Sequence, residues 1–189
     1  MKPECIKMEG TATFYPFAYL WNGAVSAFES AKTSPTGSNY HRVSAALFSA
    51  FAIEAHFNHI GESLWPFWEQ VERNLSWESK SRFIGEKLNV KVDFGCRPFQ
   101  TLRELFSFRD RLAHGKNQII EISYAYRKPG DDSCKTDPDW LAKYWTDEMI
   151  EHVLADAWQV MESFHEKAGF NKATLHMIAT GMFIEQGIG

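Results

Sequence analysis

A chain of 189 residues that is 44% hydrophobic, 15% aromatic and 23% charged is long enough for one well-packed domain and too short for two ordinary ones, and this composition excludes a disordered tail protein. Seven Trp, fifteen Phe and six Tyr call for a dense aromatic core or a dimer seam, because each large ring removes roughly 150–250 Å² from water. With 20 Lys and Arg against 24 Asp and Glu the formal net charge is -4, which denies the chain a global positive field and leaves nucleic acid only a local patch.

Apolar residues at Phe17, Leu20, Trp21, Ala24, Ala27 and Phe28 recur at steps of three and four and predict a first helix over about 14–31. Ser34-Pro35-Thr36-Gly37-Ser38-Asn39 breaks it, with Ser38 or Asn39 available to cap the next helix. That second helix, about 40–64, carries Val43, Ala46, Leu47, Ala50, Phe51, Ile53, Phe57 and Ile60 around most of its wheel, so it is central. Ser76 caps a shorter helix reaching Leu88. After a loop at 90–96, Pro98 opens a helix bearing Phe99, Leu102, Leu105, Phe106, Arg109, Leu112 and Ala113, which Gly115 ends. Residues 119–126 alternate weakly as if extended, and 127–140, with two Pro, one Gly and four Asp, reads as a solvated excursion. Thr146 then begins an amphipathic helix through Met149, Val153, Ala157, Val160, Met161 and Phe164 to about Lys167. The expected fold is all-α: a single domain over 1–189, a bundle of four to five helices with a loop-rich insertion at about 117–145.

Cys5, Cys96 and Cys134 are odd in number and widely spaced, which fits neither a disulfide framework nor a paired-thiol zinc site and points to a reducing compartment. The N-terminal stretch has no apolar run and no window reaches the roughly 18 apolar residues of a membrane span. A cytoplasmic protein with no membrane partner is expected.

Several polar residues occupy apolar stripes. Arg109 lies on the wheel between Leu102, Phe106 and Ala113, and arginine is seldom placed there without a partner. Glu54 falls among Leu47, Ala50, Phe51 and Phe57, with Asn58 one turn on, so Glu54 and Arg109 are expected to pair and so satisfy two half-desolvated ions. Asp110 and His114 are four apart, which lets the carboxylate hold one imidazole nitrogen and fix the tautomer of the other. Arg109 and His114 are five apart, roughly 140° around an ideal helix, so helix termination at Gly115 or a second copy of the helix is needed to aim both at one point.

Arg109-Asp110-Arg111-Leu112-Ala113-His114-Gly115 resembles the Arg-polar-x-x-x-His signature of the HEPN superfamily, and Ser49-Ala50-Phe51-Ala52-Ile53-Glu54-Ala55-His56-Phe57-Asn58 resembles the helix that precedes it there. The resemblance spans roughly residues 14–115 together with the helix after Thr146. It implies a metal-independent endoribonuclease of a toxin–antitoxin, phage-exclusion or RNA-processing system, working without a cofactor as a homodimer whose signatures share one cleft, alongside an antitoxin or neighbouring-gene partner. It assigns Arg109 and His114 as the catalytic pair, with Asp110, Glu54 and Asn58 in support. The chemistry suits the residues: a histidine moves the 2′-OH or leaving-group proton, an arginine holds the phosphorane charge, and a 2′,3′-cyclic phosphate results.

Blander readings stand beside these. Arg109 is equally the ion-pair partner of Glu54 in a non-catalytic HEPN bundle that binds a nucleotide or a protein, a reading the net charge favours; a purely structural dimerisation module would need Arg109 buried, paired and without an open cleft. His56 and His59, with Glu62 nearby, read as surface histidines rather than metal ligands, since no fourth ligand follows from spacing. Trp65, Trp68 and Trp77 read as core before base-stacking platforms. Lys80, Arg82, Lys87 and Lys91 form a basic stretch available to phosphates, joined by the substrate-binding candidates Arg103, Arg111 and Lys116 if the bundle brings the segments together. Asp131, Asp132, Asp137 and Asp139 are too irregular for a calcium loop, and neither a phosphate-cradling Gly-rich loop nor a serine nucleophile elbow occurs.

Overall fold

Helix boundaries follow local chemistry in the computed structural model, which describes residues 7–119 and 138–186. Helix α1 covers Pro16–Thr33, with proline in its first turn, and α2 covers Ser38–Leu64. Neither Ser38 nor Asn39 caps α2: the chain enters through Gly37 at φ 75°, a left-handed conformation suited to glycine. A short turn, α3 (Trp68–Val71), precedes α4 (Trp77–Leu88), capped by Ser76 Oγ accepting from Ser79 N at 3.2 Å. Helix α5 is Phe99–Ala113, with Pro98 just ahead of it. Helix α6 is the single turn Asp139–Ala142, continued by a 3-10 turn at Lys143–Trp145, and α7 is Asp147–Lys167, capped by Thr146 Oγ1 accepting from Met149 N at 3.2 Å.

The five long helices form the expected all-α bundle, with α2 packed against α1, α4, α5 and α7. Its buried face alternates Ala45, Ala46, Ser49, Ala50 and Ala52 with Ile53, Phe57 and Ile60, so small residues admit neighbouring helices closely while the large ones fill the centre. At Gly61 a Cβ would lie 2.1 Å from the Trp68 ring, so only glycine lets that indole rest on α2. Two ion pairs tie the frame. Arg42 Nε donates to Asp147 Oδ1 at 2.7 Å, and Arg97 forks onto the buried Asp156 at 2.7 and 3.0 Å, locking the approach to α5 against α7.

Two features depart from the expected pattern. A two-stranded sheet pairs β1 (Lys7–Phe14) with β2 (Ala179–Gln186) in antiparallel register, so Phe14 ends a strand instead of opening α1. Within the expected insertion, residues 139–145 are helical turns, anchored where Phe108 of α5 stacks on the buried Tyr144 at 3.7 Å and lies edge-on to the partly buried Trp140 at 6.1 Å. Ile119 is in coil; the rest of the segment read as extended, residues 127–137 of the excursion, Asp131, Asp132, Asp137, Cys5 and Cys134 lie outside the described residues. Cys96 is free and exposed. Among the described residues no helix is long and apolar enough to cross a membrane.

Candidate functional site on helix α5

Arg109 leaves α5 where its guanidinium reaches α2. Its Nη1 donates to Glu54 Oε2, while Nε and Nη2 both donate to Asp110 Oδ1 at 3.0 and 2.8 Å, and the ion lies over the Phe106 ring 4.8 Å from the centroid. The expected Glu54–Arg109 pair is therefore present, with the two side chains 33% and 19% exposed. A third ion completes it from α4: Lys80 Nζ lies 3.8 Å from Glu54 Oε1, its side chain only 4% exposed. One carboxylate thus sits between two cations that packing largely removes from water. Asn58, one turn after Glu54, keeps a buried Oδ1 without a hydrogen-bond partner.

His114 caps the C-terminal end of α5, exposed, its backbone N–H donating to Asp110 O at 2.9 Å. The expected side-chain link from Asp110 is not formed, because the carboxylate turns to Arg109, a charged fork on the preceding residue. Gly115 closes the helix: a Cβ there would lie 2.9 Å from Arg111 O, so the chain folds back over the last turn only without a side chain. His114 lines an open groove of about 540 Å³ with Trp77, Glu78, Arg103, Ser107, Asp110 and Arg111. Arg109 is not among its walls. Asp110 stands between the two, lining the groove and binding the arginine, so a single chain does not aim both members of the pair at one point.

The other sequence-marked residues separate accordingly. Arg103 and Arg111 are exposed along α5 and edge the His114 groove; Lys116 is exposed in the coil beyond it. Lys80 does not join the basic stretch, since it points inward to Glu54, and Arg82 lies over the Phe94 ring at 4.9 Å. Trp68 and Trp77 are core residues, Trp77 stacked on Phe106 at 4.3 Å and Trp65 on Trp68 at 5.5 Å. The helical-wheel logic that finds Glu54 and Arg109 also finds Lys80, which shares a buried stripe with Trp77, Ser81 and Ile84.

His56 and His59 are not surface histidines. His56 is fully buried and His59 half-buried, stacked near His165 among Tyr15, Phe17 and Phe170. Thr174 Oγ1 donates to Asn171 O at 2.7 Å, so His165 Nε2 is the donor to Thr174 Oγ1 at 2.7 Å and His165 Nδ1 accepts from His56 Nε2 at 3.2 Å. Two neutral imidazoles suit that chain, and His56 Nδ1 is left buried without a hydrogen-bond partner. Burial, reinforced by neighbouring histidines, holds His56 well below the usual imidazole range and His59 at about 4, and burial also lowers His165. Among the described residues no group of three or more His, Cys, Asp or Glu is placed to hold a metal ion.

The chain matches no protein-family model, no curated protein and no solved structure.

Proposed function

We propose that the chain is a HEPN-type, metal-independent endoribonuclease acting as a homodimer in a toxin, defence or RNA-processing role. The observation that carries this reading is Arg109 held on α5 by Glu54 of the preceding central helix, in the order of the resembling family, with His114 exposed at the end of the same helix beside an open groove. In the proposed reaction the 2′-oxygen of RNA attacks phosphorus as an imidazole takes its proton. The P–O5′ bond then breaks and the 5′-oxygen receives a proton from a second imidazole, leaving a 2′,3′-cyclic phosphate. Arg109 holds the charge that develops on the phosphorane. Two copies facing one cleft supply both imidazoles and bring the Arg109 of one chain towards His114 of the partner subunit. The toxin setting adds a cognate inhibitory protein.

A second reading has its own observation: Glu54 and Asp110 engage all three guanidinium nitrogens of Arg109, which suits a HEPN bundle that binds a nucleotide or a protein without cleaving. Incubation of the purified chain with RNA in EDTA separates the two. Fragments ending in 2′,3′-cyclic phosphate are expected; intact RNA, or cleavage only after a divalent ion is restored, favours the binding module or a different chemistry.

A further inference from the structure

Helix α5 borders a second groove, of about 450 Å³, on the side away from Asp110. Trp140 and Lys143, from the helical turns at 139–145, form its far wall, and Arg103, Ser107 and Arg111 form the near one. These same three α5 residues also edge the His114 groove, so they make a ridge common to both. Arg103 and Arg111 are eight residues apart, about 12 Å along the helix, and among the described residues no carboxylate pairs with either. Lys143 is neutralised in place by Glu104, so among the described residues the two arginines are the cations of this groove without a carboxylate partner. Trp140 is held in a fixed pose: its Nε1 donates to Gln118 Oε1 at 3.4 Å, Phe108 packs edge-on, and the Arg111 guanidinium lies 5.9 Å from its ring centroid.

An ordered indole beside two guanidiniums that no carboxylate among the described residues engages is the equipment that grips a nucleotide, the ring stacking a base and the arginines holding phosphate. We infer that this groove is a subsite for single-stranded RNA, in which a base stacks on Trp140 while Arg103 and Arg111 carry the backbone over the ridge towards His114. A polymer is favoured over a free nucleotide because the ridge residues serve both grooves, and only a strand occupies both at once. The inference rests on the ribonuclease reading for the meaning of the His114 end, but its own test needs no cleavage.

Fluorescence anisotropy of a labelled 2′-O-methyl oligoadenylate, which cannot form a cyclic phosphate, reads binding alone. Trp140→Ala is expected to weaken it by about 5- to 150-fold, from roughly 1–3 kcal/mol of stacking per base, and Trp140→Phe to restore most of the loss. Arg103→Gln with Arg111→Gln is expected to lower the slope of log affinity against log salt by about 1.4, from roughly 0.7 for each single-strand phosphate contact. Adenosine monophosphate should compete only far above the concentration of oligomer that saturates. Unchanged affinity in Trp140→Ala with an intact helical spectrum overturns the subsite, as does an unchanged salt slope in the arginine variant. Adenosine monophosphate binding as tightly as the oligomer overturns the strand in favour of a free-nucleotide site. Binding that meets these expectations while unmodified RNA stays intact leaves the subsite standing and removes the ribonuclease reading.

Discussion

Arg109 and Glu54 meet across two helices, and the carboxylate they share with Lys80 makes the junction of α2, α4 and α5 ionic at its centre. Glu54 is the hub. Its removal leaves Arg109 with Asp110 as an alternative, whereas Lys80, nearly buried, has no other carboxylate within reach among the described residues. The cost of Glu54→Gln therefore falls mainly on the lysine.

Glu54→Gln is expected to destabilise the fold by about 1–3 kcal/mol, the range for leaving a buried charged group partly unsatisfied. Lys80→Met in the same background should recover part of that loss, because it removes the orphaned charge and keeps the apolar stem. Urea unfolding of the two single variants and the double variant checks this. Strictly additive losses would show that Glu54 and Lys80 do not interact.

His114 is exposed at a helix end and bears no packing load, so His114→Ala should leave the helical spectrum and the melting temperature unchanged. Cleavage should fall by roughly 10²–10⁴-fold, the usual contribution of a positioned proton donor or acceptor. Arg109→Lys should also cleave poorly, because an ammonium cannot reproduce a guanidinium that spans Glu54, Asp110 and a phosphate. Quantified cleavage of a labelled RNA measures both. Full activity in His114→Ala would remove the histidine from the reaction.

The buried histidines give the fold a pH dependence of definite sign. His56, His59 and His165 all have pKa values lowered in the fold, His59 to about 4. Between that value and the ordinary 6.5 the unfolded chain binds more protons than the native one, so stability is complete above about 6.5 and is lost as pH falls towards 4. Thermal melts should show the melting temperature dropping across this window. His59→Phe, which keeps a ring among Tyr15, Phe17 and Phe170, should flatten the drop; an equally steep loss would place the effect on carboxylates instead.

How far the chain could be read in advance depended on the range of the forces involved. Glu54 and Arg109 were legible because helical periodicity places each on its stripe, and an ion on an apolar stripe requires a counter-ion. Ser76 and Thr146 were legible because capping is local. His56 falls on the same α2 stripe as Ala52, Ile53 and Ile60, so its burial is legible from periodicity; what sequence alone does not show is its partner His165, more than a hundred residues away, and histidine by type is mostly half-exposed. The pairing of β1 with β2 is not legible because the two strands stand near opposite ends of the chain. Asp110 was assigned to His114 by spacing alone; the neighbouring guanidinium, a stronger donor at shorter reach, took the carboxylate.

The chain is expected to form a homodimer. Phe51, on α2 one turn before Glu54, is 42% exposed, and Phe48 beside it is 38% exposed, so the central helix presents a pair of rings to solvent next to the Arg109 junction. Gly23 of α1 lies under Phe48, where a Cβ would be 3.5 Å from the ring, and this continues the apolar surface across the two helices. Association through such a patch takes rings out of water, and a two-fold axis near it would bring the α5 ends of two chains towards one another. Light scattering at micromolar concentration should give twice the mass of the chain. Phe51→Glu should yield a folded monomer, because a carboxylate at a solvent-facing position disturbs the contact and not the core. In that monomer RNA cleavage should be lost while His114 and Arg109 remain intact. A wild-type chain that is monomeric and still cleaves RNA defeats the shared cleft, and a dimer that survives Phe51→Glu places the interface elsewhere.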